Sequence, residues 1–177
     1  MKDLRTQIEH IYSKNFGEET CKKFSGTLTV ELIRQRLKKS GIPVSPRDVF
    51  IKGLGIEIDL VIPRPGALRA HNIIYSPEDV VAALEVKYRG AFGSQALDST
   101  KANFERIKQV DKRIQCIYVA VVETRGYKWA VTRKNLGFPA YTLYWYSNRT
   151  HEHQPSRDWE KLVNRLTQAI RVLQERA

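Results

Sequence analysis

The sequence predicts an α/β domain in which a central mixed β-sheet is flanked by helices, and three observations lead there. Segments with apolar residues at helical spacing alternate with short runs rich in Val, Ile and Ala. One run, Ile117 to Val122, is apolar throughout, as a strand buried on both faces should be. The chain has 177 residues and is 42% hydrophobic and 28% charged, enough for one domain with a single sizeable core. We read 1–177 as one domain, with a core over about 26–122 and a C-terminal extension over about 127–177.

Leu4, Ile8 and Ile11 recur at helical spacing and predict a short helix over 1–12. Ser25, Gly26 and Thr27 then read as the start of an amphipathic helix carrying Leu28, Val30, Leu32, Ile33 and Leu37. Gly41 and Pro43 stop it, and Arg34, Arg36, Lys38 and Lys39 occupy its exposed face. Val49-Phe50-Ile51 is a strand, Gly53 and Gly55 form a turn, and 56–62 is a second strand ended by Pro63, Pro65 and Gly66. A polar excursion follows, with a short pairing segment at 73–75, before a third strand over 80–88. A helix is expected over 98–113, with Ala102, Ile107 and Val110 turned inward. After the strand at 117–122, further strands are expected over 127–131 and 141–146. Ser156 is placed as the cap of a last helix whose stripe is Trp159, Leu162, Val163, Leu166, Ala169, Ile170 and Leu173.

Composition narrows the partners. Thirty Lys and Arg against nineteen Asp and Glu give a net charge of +11, which favours a polyanion such as nucleic acid. No apolar run is long enough for a membrane span and the first residues lack a secretion signal, so a cytoplasmic protein with no membrane partner is expected. The two cysteines, Cys21 and Cys116, are far apart and read as free thiols, Cys116 as a small buried residue. No Cys/His spacing suits zinc.

Two strands carry acidic residues where apolar ones are usual. The period of two sets Glu57, Asp59 and Val61 on one face, opposite Ile56, Ile58, Leu60 and Ile62. In the strand Ala83-Leu84-Glu85-Val86-Lys87-Tyr88, Glu85 and Lys87 share a face. If these strands pair, Asp59, Glu85 and Lys87 converge. Buried carboxylates are unfavourable unless paired or bound to a metal, and two of them suit a hard cation such as Mg²⁺. Lys87, with a pKa lowered by such a site, would position the attacking water or help deprotonate it. The bland reading of Glu85-Val86-Lys87 is a solvent-facing charge pattern.

Together, Asp59 on one strand and Glu85-Val86-Lys87 on the next resemble the PD-(D/E)XK nuclease superfamily, whose fold is called restriction-endonuclease-like. The predicted order αβββαβ from Gly26 to Val122 matches that family's core over somewhat more than half of the chain. Ile58 stands where the family name has proline. The resemblance implies Asp59 and Glu85 as metal ligands, the Val86 carbonyl as a further ligand, and Lys87 as the residue that organises water. Glu31, in Gly26-Thr27-Leu28-Thr29-Val30-Glu31-Leu32, matches a glutamate that many members carry on the first helix, as a metal ligand or a catalytic support. Its alternative is an ordinary solvated helix residue.

The function so implied is Mg²⁺-dependent hydrolysis of DNA phosphodiester bonds, with Mn²⁺ as a substitute, in restriction, defence or repair. A junction resolvase, which would be a homodimer, is the nearest alternative; a non-catalytic nucleic-acid-binding module keeping the fold is another. No nucleotide cofactor is expected. Lys38, Lys39, Arg64, Arg69, Arg89, Arg125, Lys128, Arg133 and Lys134 are candidate phosphate contacts, Arg64 and Arg69 because their long excursion can reach over substrate. His151-Glu152-His153 reads as a solvated loop rather than a metal site. Tyr141, Tyr144, Trp145 and Tyr146 read as sheet or core residues first and as base-stacking residues second.

Overall fold

A computed structural model describes residues 18–67, 69–70, 73–89, 95–124, 133 and 135–175. The helix expected over 1–12 and the strand expected over 127–131 lie outside them. The chain forms α1 (Glu18–Lys39), the short strands β1 (Val49–Ile51) and β2 (Glu57–Ile58), β3 (Leu60–Pro63), β4 (Arg69–Ala70) and β5 (Ile74–Tyr75). A 3₁₀ turn at Pro77–Asp79 leads into β6 (Val80–Arg89), followed by α2 (Gln95–Val110), β7 (Gln115–Thr124), β8 (Ala140–Ser147), β9 (Glu152–Pro155) and α3 (Asp158–Gln174).

The main sheet has five strands in the order β3-β6-β7-β8-β9, and the smaller has four in the order β2-β1-β5-β4. In the main sheet β6, β7 and β8 run parallel, and the edge strands β3 and β9 are antiparallel to their neighbours. This is the mixed, helix-flanked sheet that the sequence predicts. β7 lies at its centre, and Cys116 to Val122 are buried as expected. One side of the sheet packs Val30, Ile33 and Leu37 of α1 and Leu162 and Leu166 of α3 against Leu60, Leu84 and Val119. The other packs Leu97, Phe104 and Ile107 of α2 and the small sheet against Val61, Ala83 and Tyr118. Arg106 of α2 donates to the Leu54 carbonyl at 2.8 Å, tying that helix to the small sheet.

Several boundaries differ from expectation. α1 is already helical at Glu18, the first described residue, rather than starting beside Ser25, so Gly26 lies inside the helix. The Ser-Gly-Thr triplet looks like a start, but the helix-compatible stretch before it continues through a glycine, which costs only about 1 kcal/mol. The other end is as predicted. Gly41 has φ +76°, Ile42 N–H donates to Leu37 C=O at 3.1 Å and Gly41 N–H to Lys38 C=O at 3.0 Å, which closes the helix in a left-handed cap.

α2 runs over Gln95–Val110 rather than 98–113, and of the three residues expected inward only Ile107 is buried. The buried positions, Leu97, Thr100, Phe104 and Ile107, keep a spacing of three to four. Ala102 lies off that stripe, and Val110 is exposed at the last turn.

The segment at 152–155 is a strand, not a loop. Ser147 pairs with Glu152 across a four-residue turn in which His151 takes φ +55°, and Pro155 is tolerated because β9 is an edge strand. The N-cap position of the last helix is Arg157 rather than Ser156, but the Ser156 hydroxyl, one residue earlier, accepts the Asp158 N–H at 3.0 Å.

Candidate active site

The expected single strand over 56–62 is broken at Asp59. Glu57–Ile58 pairs with β1 in the small sheet, while Leu60–Pro63 pairs with β6 in the main one. The break also shifts the alternation: Ile58 joins Val61 on the α2 side, whereas strict period two would group Ile58 with Leu60 and Ile62. Asp59 is the residue at which the chain passes between sheets.

Pairing of Leu60 with Leu84 sets Asp59 beside Glu85, one step further along β6. Asp59 Oδ2 accepts the Val86 N–H at 2.7 Å. Glu85 and Lys87 alternate with Leu84 and Val86, which belong to the core on the α1 and α3 side, so both point to the α2 side. Lys87 Nζ lies 2.5 Å from Glu85 Oε1. The three residues therefore come together as their spacing suggests.

The electrostatics are uneven. Burial, then the negative charge of Glu85, push the Asp59 carboxyl up to about 6, against the Val86 N–H and Lys87, which favour its anion; Asp48 adds to the rise. Lys87 moves opposite to the expected direction. Burial favours the neutral amine, but the charge and hydrogen bond of Glu85, with the charge of Asp59, outweigh it and hold the pKa above the usual lysine value. Lys87 is an ammonium, suited to orient water and balance anionic charge rather than to take a proton.

Glu31 lies apart from this group in its bonding. Its carboxylate is gripped by Arg34 at 2.7 and 2.8 Å and by Gln35 at 3.0 Å, and the Arg34 bonds lead in holding its pKa below the usual range. Among the described residues, no three or more His, Cys, Asp or Glu side chains form a group able to hold a metal. A cation here would rest on Asp59 and Glu85. Because a strand residue turns its N–H and C=O toward the same neighbour, the Val86 carbonyl also faces the Asp59 side. Two carboxylates, one of which resists ionising beside the other, fit a hard divalent cation that retains several waters.

Two residues were missed in the sequence. Asp48 takes φ +56° and donates its N–H to the Asp59 carbonyl at 3.2 Å, so its charge falls within reach of the site. Pro46-Arg47-Asp48 reads only as a turn, and nothing in it signals proximity to Asp59. Asp158 is 4% exposed, and its carboxylate accepts from Thr142 N–H, Arg133 and Lys161. A helix-start aspartate hides that role.

The basic candidates scatter. Lys38 and Lys39 are exposed at the end of α1. Arg64 follows β3 opposite Val80, at the far end of β6 from Glu85, and not over the catalytic strands as its loop suggested. Arg133, half-buried, is engaged by Asp158 at 2.9 Å and lies 5.8 Å from the Tyr141 ring, so its guanidinium already has partners within the fold. Arg69 has its backbone in β4 and Arg89 ends β6, but their side chains, like Arg125, Lys128 and Lys134 altogether, lie outside the described residues. Tyr141 and Tyr144 are buried in the core, and Tyr146 packs on His153 and bonds His151 at 2.9 Å. No helix among the described residues is long and apolar enough to cross a membrane.

No family model matches the chain, and no curated protein matches it by sequence. Solved structures do. NucC of P. aeruginosa ATCC27853 in its cAAA-bound form superposes with TM-score 0.60 at 14% identity, covering 94% of this chain and 88% of that one. NucC of E. coli MS115-1 gives 0.59 at 13% identity in its cAAA-bound form, with the same coverage, and 0.52 at 13% identity in its apo form, over 93% of this chain and 89% of that one. NucC is a PD-(D/E)XK-type nuclease of the restriction-endonuclease-like fold, and this chain has that fold. The likeness bears out the resemblance in the motifs at the level of fold. Two of these neighbours hold cAAA, which runs against the expectation that no nucleotide takes part.

Proposed function

We propose that the protein is a DNA endonuclease of the defence type that hydrolyses phosphodiester bonds with Mg²⁺, or Mn²⁺ in its place. The observation that carries this reading is the meeting of Asp59, Glu85 and Lys87 at the junction of two sheets, in a fold shared with a nuclease. Asp59, Glu85 and the Val86 carbonyl would hold the ion, which when bound supplies Lewis-acid stabilisation of the scissile phosphate.

The chain's own residues have separate tasks. Val86 N–H fixes one Asp59 oxygen, leaving the other for a ligand. Glu85 balances Lys87 in the resting site. With phosphate present the ammonium serves both to orient a water against phosphorus and to offset the charge that develops there. Lys38 and Lys39 remain available to the DNA backbone. A nucleotide ligand comparable to the neighbours' cAAA belongs to the proposal, in place of the earlier expectation.

The test is cleavage of duplex, branched and single-stranded DNA by the purified chain in Mg²⁺ or Mn²⁺, with and without cAAA. Cutting that stops with EDTA and in Lys87→Ala is expected. Intact substrate under every condition, or full activity in Lys87→Ala, refutes the proposal. Preference for branched over linear duplex would assign the resolvase role instead.

A further inference from the structure

A concave site lies at the opposite end of the main sheet from Asp59 and Glu85. Arg64 leaves β3 there, Arg113 and Gln115 lead into β7, and Arg165 reaches in from α3, around a cavity of about 390 Å³. From Val80, at this end of β6, to Glu85 is five residues, roughly 17 Å along a strand. The cavity is therefore separate from the catalytic group.

Its walls combine two chemistries. Val80, Val81 and Val172 give it an apolar side, and Val172 is exposed. The other side is basic. Arg64 lines the cavity with its Nε buried and without a hydrogen-bond partner, an unfavourable state for a donor, and its charge is felt by Asp111. Arg165 Nε donates to Gln115 Oε1 at 2.8 Å, which fixes the guanidinium plane through one edge. Arg113 is gripped by Asp111 at 2.7 to 3.1 Å and also lies in the field of Glu78. Three guanidinium groups against these two carboxylates leave an excess of positive charge.

We propose that this cavity binds a small phosphate-bearing ligand of nucleotide type. Guanidinium groups match phosphate oxygens in pairs, and the apolar wall offers a surface for a base. A volume near 390 Å³ suits a mononucleotide-sized group and is too small for a duplex. The inference stands on the cavity and does not require the nuclease reading.

The experiment is calorimetric titration of the full chain with ATP, pyrophosphate and adenosine, followed by displacement of ATP with a duplex oligonucleotide. ATP and pyrophosphate should bind, adenosine should bind far more weakly, and duplex should not displace ATP. Arg64→Ala should weaken ATP by about tenfold or more. Arg165→Gln, on an exposed helix face, should do the same if Arg64→Ala proves unstable. Asp59→Asn should bind ATP normally even where cleavage is lost, which separates failure of this site from failure of the nuclease proposal. No binding of either phosphate compound overturns the inference, as does affinity indifferent to both arginine variants or displacement of ATP by duplex.

Discussion

Asp59 and Asp158 are both carboxylates withdrawn from water, and the chain treats them in opposite ways. Asp158, in the first turn of α3, accepts the Thr142 N–H at 3.1 Å, Arg133 at 2.9 Å and Lys161 at 3.2 Å. Donors and positive charge surround it, and the helix N-terminus adds to them. Asp59 has one N–H, from Val86; burial, and then the like charge of Glu85, raise its carboxyl to about 6. A carboxylate whose partners are complete serves the fold. One left under repulsion, with an oxygen unspent, is suited to a ligand from outside the fold, as the proposed metal site requires.

The largest effect should come from the unsatisfied member. Asp59→Asn keeps an acceptor for the Val86 N–H but removes a charge from the proposed metal site. Cleavage should fall on the order of 10³-fold, the several kcal/mol that metal-assisted phosphate chemistry commands. Cleavage rates on one DNA substrate, measured at saturating Mn²⁺, decide this; a loss of only a few-fold would mean that Asp59 does not hold the ion.

Asp158→Ala should do the opposite, sparing the chemistry and harming the fold. Removing the carboxylate strands a buried N–H and the Arg133 guanidinium, so denaturant unfolding should show a loss of about 3 kcal/mol. A loss below about 1 kcal/mol would show that Asp158 is not the satisfied structural partner drawn above.

That contrast explains what was legible in the sequence. Strand periodicity marked Glu85 and Lys87, because side chains on one strand need only the period of two to share a face. Asp59 was legible as a residue but not as a hinge: the break between β2 and β3 is set by pairing with β1, on a different sheet. The contacts of Asp158 were illegible because Arg133 and Thr142 lie on other segments. The same distance hid Asp48, which meets Asp59 only through the fold. Glu31 was legible as a helix acid, but the reach of Arg34 one turn later decides where its charge is spent. The lowered pKa expected for Lys87 missed Glu85 and Asp59, whose combined effect outweighs burial.

A third effect sharpens the comparison through pH. In the folded metal-free protein Asp59 keeps its proton up to about 6, whereas in the unfolded chain it loses it near 3.9. Between those values the folded state binds more protons, so stability falls as pH rises. Above about 6 the whole penalty is present, at most about 3 kcal/mol. Asp59→Asn removes it. In EDTA the variant should melt above the wild type near about pH 8, and the gap should narrow toward about pH 3.5, where Asp59 is protonated in the folded chain and mostly protonated in the unfolded one. A gap independent of pH would trace the gain to packing and not to the burial of the Asp59 charge beside Glu85.

The smallest effect tests how Asp158 is satisfied. Lys161 reaches its Oδ1 at 3.2 Å from a side chain that is 64% exposed, whereas Arg133, 29% exposed, bonds Oδ2 from a more sheltered position. Water screens the first pair and replaces it readily, so Lys161→Ala should cost only about 0.5 kcal/mol. Arg133→Ala should cost about 1–3 kcal/mol, because water substitutes poorly where the carboxylate is closed in. Urea midpoints for both variants, each also combined with Asp158→Ala, give the two coupling energies. If Lys161 couples as strongly as Arg133, the site owes its stability to summed charge, and the separation drawn between the two aspartates narrows to a difference in the number of nearby cations. If only Arg133 couples, the directed bonds make the difference, and Asp59 is set apart by lacking them.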